Sequence, residues 1–259
     1  MAKKKTAISW TDYTVNPYGW HCRKTSTGCK NCYMFAEAER YNRPDPASGW
    51  ATRFDKAQKE LDRLPDGVSV FLNDMSDTYY QRASLEDVQA VHRMAVSRPG
   101  VSFVICTKRP ERALELSDRL PWPGNLWLMV TVESAKYLHR IQTALKTGAA
   151  HVAVGAEPLL GSLDGLEHWL QLGDPYGYYN SPRKVEWLIT GGESGPNRRP
   201  AQVDWFRQVR SVCQKHGIAY YHKQGNGFKQ GQNRHLDGQL WEALPDGYQL
   251  EKQLERVAA

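Results

Sequence analysis

Short runs of β-branched and aromatic residues alternate along this chain with longer runs whose apolar positions recur every three or four residues. That alternation is the pattern of a parallel sheet built from strand–helix units. Strands are predicted over residues 8–14, 68–72, 101–106, 126–132, 151–155, 185–190 and 219–222, and helices over 32–41, 85–97, 110–119, 135–147, 163–171 and 202–216. Seven such strands suit a TIM-type (β/α) barrel, complete or partial, better than an open doubly wound sheet. The barrel-like α/β domain is expected to occupy residues 1–228, with a small C-terminal appendage over 229–259. In that appendage Asp237-Gly238 has the composition of a hairpin turn. Residues 43–50 and 173–182 read as insertions, residues 250–259 as a short helix or a frayed end, and the alternating charges of 53–60 as a solvated helix face.

The ends of the strands change the picture from fold to function. Asn73, Asp74 and Asp77 follow the second strand, Lys108 and Arg109 the third, Glu133 the fourth, Glu157 the fifth, Gly191-Gly192-Glu193 the sixth, and Lys223-Gln224 the seventh. Asp and Glu are poor strand formers and buried strands do not need them, so their recurrence at equivalent places points to one functional face. Taken singly, each has a bland explanation: Asp74, Asp77 and Ser134 as helix caps, Lys108-Arg109 as a solvated loop. The set carries the weight.

Composition is that of an ordinary globular protein of 259 residues, 41% apolar and 24% charged. No apolar run approaches the roughly 18 residues of a membrane helix, and a cytoplasmic protein without membrane partners is expected. Structural disulfides are disfavoured there, so the cluster Cys22, Cys29 and Cys32 points to metal or redox chemistry. Cys106 and Cys213 stand alone in apolar surroundings and read as buried small hydrophobes. The net charge of +6 favours an acidic partner, either nucleic acid or a phosphorylated small molecule.

Six residues separate the first two cysteines of the cluster and two separate the last pair, so one loop running into a helix can bring all three sulfurs to one centre. Three thiolates leave a position open, as a catalytic centre requires; His21 as a fourth ligand would instead close a structural zinc site.

The motifs Ile8-Ser9-Trp10-Thr11-Asp12-Tyr13-Thr14-Val15-Asn16-Pro17, Gly28-Cys29-Lys30-Asn31-Cys32-Tyr33, Asn73-Asp74-Met75-Ser76-Asp77, Thr107-Lys108-Arg109-Pro110, Glu157-Pro158-Leu159-Leu160-Gly161, Gly191-Gly192-Glu193-Ser194-Gly195, His222-Lys223-Gln224-Gly225 and Leu236-Asp237-Gly238 resemble those of the phage Gp37/Gp68 family, DUF5131. More distantly the chain resembles the radical S-adenosylmethionine (SAM) enzymes, which hold a [4Fe–4S] cluster on a three-cysteine loop after the first barrel strand. That resemblance implies that Cys22, Cys29 and Cys32 bind the cluster, with Tyr33 in the aromatic position beside the last pair and SAM on the remaining iron. Gly191, Gly192, Glu193 and Glu157 become candidate cofactor contacts. The chain departs from the radical SAM pattern in its six-residue spacer and in placing Gly191-Gly192-Glu193 after a late strand.

Of the remaining polar residues, Glu157 and Glu193 are candidate proton acceptors and, with Lys223, candidate catalytic groups. Asp74, Asp77, Lys108, Arg109, Glu133 and Gln224 are candidate substrate contacts, the cations suiting a carboxylate or phosphate. Arg198-Arg199 is a candidate phosphate clamp or a solvated loop. Trp10, Trp20 and Tyr33 are candidates to stack on a base or to belong to the core. An iron–sulfur enzyme acting on a nucleotide or nucleic-acid base, with an electron-donor protein as partner, is the first reading. A zinc-binding nucleic-acid adaptor without radical chemistry is the alternative. A metal-dependent hydrolase is disfavoured, because hydrolytic sites prefer imidazole and carboxylate to thiolate.

Overall fold

A computed structural model of the protein describes residues 4–172 and 183–252. Seven strands, β1 (Tyr13–Val15), β2 (Ser69–Leu72), β3 (Ser102–Thr107), β4 (Leu126–Thr131), β5 (His151–Ala156), β6 (Trp187–Gly191) and β7 (Ala219–Gln224), form one sheet in sequence order. Every neighbouring pair is parallel. The helices are α1 (Tyr33–Arg40), α2 (Phe54–Leu61), α3 (Leu85–Ser97), α4 (Pro110–Leu116), α5 (His139–Leu145) and α6 (Val203–His216). The result is an α/β fold whose sheet curls into a half-barrel flanked by helices; among the described residues β1 and β7 do not pair.

Alternation along the strands separates two cores. Val70, Leu72, Phe103, Ile105, Leu128, Val154 and Leu188 pack outward against helix residues such as Val91, Leu116, Ile141 and Val209. Phe71, Val104, Trp127, Met129, Trp187, Ile189 and Tyr221 face inward. Strands buried on both faces read as continuous apolar runs, which is why β2 to β6 are legible in the sequence. At its base the inner core is filled by the C-terminal segment, where Tyr248 and Leu250 pack among Trp10, Trp127 and Trp187. The buried Asp12 carboxylate accepts bonds from the backbone N–H groups of Ser69, Glu251 and Lys252, each at 3.0 Å.

Helix boundaries follow local chemistry. Ser84 accepts from Asp87 N while Asp87 accepts from Ser84 N, a capping box that starts α3 at the predicted residue. Pro110 opens α4, and Gly217, at φ 62°, ends α6 in the left-handed region. Three expectations need correction. The strand predicted over 8–14 is reduced to Tyr13–Val15, because Trp10 and Asp12 turn inward to close the base. The helix predicted over 163–171 is a 3-10 turn, Leu166–Trp169, entered through left-handed Gly165 at φ 81°. The charged run at 53–60 belongs to a helix that does bury a face, through Ala57 and Leu61.

The Asp237-Gly238 turn joins β8 (His235–Leu236) to β9 (Gln239–Leu240), and both turn residues have positive φ, as a tight hairpin demands. Asp237 binds Arg207 and Arg210, which docks the hairpin on α6. Residues 43–50 form an irregular insertion, as expected. The expected insertion at 173–182 and the end at 253–259 lie outside the described residues.

Candidate functional site

A cavity of about 440 Å³ opens at the carboxyl ends of the strands, the face that the polar strand ends predicted. Phe71, Met129 and Trp10 of the inner core line it together with residues of the cysteine loop. All three cysteines line it as free thiols: Cys22 before the loop, Cys29 at the end of a 3-10 turn (Thr27–Cys29) and Cys32 at the N-cap of α1. Tyr33, half exposed, donates from its hydroxyl to the Asp74 carbonyl.

Four carboxylates at the strand ends each hold a cation. Asp77 accepts from Arg109 at 2.7 Å and also from Thr107 Oγ1, Tyr79 N and Lys108 N. Glu133 pairs with Arg140 at 3.0 Å. Glu157 pairs with Lys223 at 3.0 Å and accepts from Trp10 Nε1 at 3.2 Å. Glu193 pairs with Arg199 and accepts from Asn31 Nδ2 at 3.0 Å. Pairing accounts for a ring of acidic residues that would otherwise be costly to bury.

Asp74, Asp77, Lys108, Arg109, Glu157, Gly192, Glu193, Lys223 and Gln224 all line the cavity, as does Tyr33. Two predicted site residues do not. Glu133, expected to contact substrate, is fully buried under the cysteine loop. Gly191, expected to contact a cofactor, lies behind Glu157, where a side chain would meet Glu157 Oε1. Gly192 permits a close backbone approach: an added Cβ would stand 2.8 Å from Asn226 N, and Gly192 N donates to Gln224 O at 3.0 Å. Gln224 returns a bond to Gly192 O at 2.9 Å and accepts from Gly231 N at 2.7 Å. Trp10 is core, and Arg199 is occupied by Glu193 and the Thr27 carbonyl.

The description "Protein of unknown function (DUF5131)" covers residues 5–245 of the chain. The chain belongs to the DUF5131 family. No curated protein and no solved structure matches it. The span assigned to DUF5131 takes in all seven strands, the three cysteines and every residue named at the cavity.

Electrostatics within the DUF5131 site treat the thiols unequally. Burial pushes the Cys22 thiol up to about 11, with Asp77 adding to the rise and Arg109 opposing it. Burial also acts to raise Cys29, but the Lys108 charge, backbone bonds at Thr25 and Ser26 and the Ser26 hydroxyl outweigh it and lower the thiol. Glu193 is likewise lowered: Arg199 and Asn31 outweigh its partial burial. Lys108 carries no carboxylate partner among the described residues, unlike Arg109 and Lys223.

Three free cysteines line one cavity, and thiolate is the ligand type of iron–sulfur clusters and of zinc alike. Among the described residues no three His, Cys, Asp or Glu side chains stand together closely enough to hold a metal ion. His21 does not line the cavity; its Nδ1 lies 3.1 Å from Ser48 O. Sequence reasoning missed Ser26, Asn31 and Arg140, which bind the loop and its carboxylates. Their only signal was proximity to the cysteines or to a strand end.

Proposed function

We propose that this DUF5131 protein is an iron–sulfur enzyme of radical SAM type, built on a partial TIM-type barrel and working in the cytoplasm with an electron-donor protein. The observation that carries this reading is that three free cysteines of one loop line a cavity at the carboxyl ends of a curled parallel sheet. Cys22, Cys29 and Cys32 would hold a [4Fe–4S] cluster. When bound, the cluster would supply the electron that cleaves SAM and starts hydrogen abstraction from a substrate.

The chain's own residues supply binding and exclusion of water. Trp10, Phe71 and Met129 give an apolar wall. Glu157, oriented by Trp10 and neutralised by Lys223, offers a paired carboxylate for an ammonium or hydroxyl group. Lys108, lacking a carboxylate partner among the described residues, suits a carboxylate or phosphate. A nucleotide or nucleic-acid base fits this combination and the basic net charge.

Anaerobic purification and reconstitution followed by iron, sulfide and zinc analysis, with EPR of the reduced protein before and after SAM, tests the reading. The expected result is four irons per chain and a SAM-perturbed signal that disappears when Cys22, Cys29 and Cys32 are all changed to Ala. One tightly held zinc with no such signal would sink the proposal and favour the adaptor reading.

A further inference from the structure

We infer that the cysteine loop is fastened over the cavity at three places, one beside each cysteine, by the segments that follow β2, β3, β4 and β6, and that Glu133 and Glu193 are positioning residues for this loop. The inference rests on the reading of the three cysteines as the centre of the site.

Beside Cys22, the Arg109 guanidinium bridges two elements. Nη1 donates to Asp77 at 2.7 Å and lies 3.7 Å from Cys22 Sγ, while Nη2 donates to Arg23 O at 2.7 Å. Ser76 Oγ donates to His21 O at 2.6 Å. This end of the loop is therefore held by the segments that follow β2 and β3.

Beside Cys29, the contacts come from the segment after β4. Ser26 Oγ donates to Glu133, whose other oxygen accepts from Arg140 at 3.0 Å. Thr27 N donates to Tyr137 Oη at 3.3 Å. Gly28 lies so close to Glu133 that a Cβ has no room. Only glycine allows the turn to seat on that carboxylate.

Beside Cys32, the segment after β6 takes over. Asn31 Nδ2 donates to Glu193 at 3.0 Å and to Asn197 O at 2.8 Å. Arg199 clamps the same carboxylate through Nε at 3.0 Å and reaches back through Nη1 to Thr27 O at 2.9 Å. The residues between Cys22 and Cys29 thus span a fixed distance, carrying the chain from the β2–β3 end of the cavity to β4.

These bonds account for both carboxylates of Glu133 and Glu193 without a substrate. Buried ion pairs contribute little net stability against apolar replacements, and their best-attested use is to fix register. Here the register fixed is that of three thiols over one cavity. Such fastening predicts a loop that is ordered before any metal arrives.

Hydrogen–deuterium exchange of the full-length, iron-free protein tests this directly. In wild type, the amides of Thr27, Cys29 and Lys30, which donate to Tyr137 Oη, Ser26 O and Thr27 O, should be protected. In Glu133→Gln and Glu193→Gln, and in the milder Ser26→Ala and Arg199→Ala, they should exchange about tenfold faster or more, with strand amides unchanged, because each variant removes a charge-assisted bond. Unchanged loop exchange in Ser26→Ala and Arg199→Ala would overturn the inference even if the two Glu variants fail to fold. After anaerobic reconstitution, Ser26→Ala should alter the EPR signature and Ser26→Thr should restore it; identical spectra in all three proteins would also overturn it. Absence of any cluster from the wild type would count against the functional reading instead, and the exchange measurement does not depend on it.

Discussion

Gly191 and Glu157 occupy one volume: a Cβ on Gly191 would stand 2.6 Å from Glu157 Oε1, the oxygen that pairs with Lys223. The end of β6 is bare so that a carboxylate from the end of β5 can turn toward the cavity. Gly191→Ala should therefore displace Glu157 and break the pair, costing about 1–3 kcal/mol in urea unfolding. Gly124→Ala, where a Cβ meets nothing within 4 Å, is the control and should change little.

The Glu133–Arg140 pair supports a second prediction. Both side chains are buried, and Arg140 also donates to Thr131 O at 2.8 Å and lies over the Tyr137 ring. Arg140→Met leaves a carboxylate buried without its cation and should cost about 3–5 kcal/mol. The double variant Glu133→Gln with Arg140→Met should recover part of that loss. A double variant no more stable than Arg140→Met would show that the charge pairing is not what the site requires.

Acid should destabilise the fold through two buried imidazoles. Burial lowers His92 to about 4, opposed by its bond to Pro121 O, and lowers His222 to about 4 as well. Both are neutral in the folded protein at pH 7, while an unfolded chain protonates near pH 6.5. Between those values the unfolded state binds more protons, so the stability contributed above pH 6.5 is lost as pH falls toward 4, on the order of 3 kcal/mol for each. His92→Gln, which keeps a polar group toward Tyr79, should flatten this acid limb in urea titrations run at several pH values. An unaltered slope would remove His92 from the account.

The fold was largely legible because its signals are local. The central strands β2 to β6 are short, mostly apolar runs buried on both faces, and α3 announces itself through Ser84 and Asp87. The buried face of α2 was concealed because its buried positions, Ala57 and Leu61, stand in a stretch otherwise charged and polar. The face of the cavity was legible too, since Asp77, Glu157 and Glu193 follow strands, Lys223 stands at the carboxyl end of β7, and all line the cavity. Pairing was not. That Glu193 takes Arg199, six residues on, and that Glu133 takes Arg140, seven residues on, depends on how the segments after β6 and β4 fold back; that Asn31 and Ser26 bind those same carboxylates depends on the curl of the sheet, which brings together residues 162 and 107 positions apart. Periodicity carries no information about such contacts. For Trp10 the sequence left a stacking surface and the core open; the ring lies in the inner core, and its Nε1 contact to Glu157 could not be read from the sequence.

The inner core depends on the end of the chain, and Tyr248 is its most exacting member. Its ring lies 4.7 Å from that of Trp187 and 5.8 Å from that of Trp127, and its hydroxyl donates to Trp10 O at 3.0 Å. Without the ring, three tryptophans would face a void at the base of the half-barrel. Tyr248→Ala should cost about 3–5 kcal/mol, the usual range for deleting a buried aromatic side chain. Tyr248→Phe keeps the ring and loses one bond, so about 1 kcal/mol is expected. Urea unfolding followed by tryptophan fluorescence reads both, and the emission of the folded Ala variant should shift to longer wavelength as water reaches Trp127 and Trp187. If the two variants were equally stable, the segment would be an outer cover for the sheet instead of part of its core, and the half-barrel would have to close its base with Trp10 and Asp12 alone.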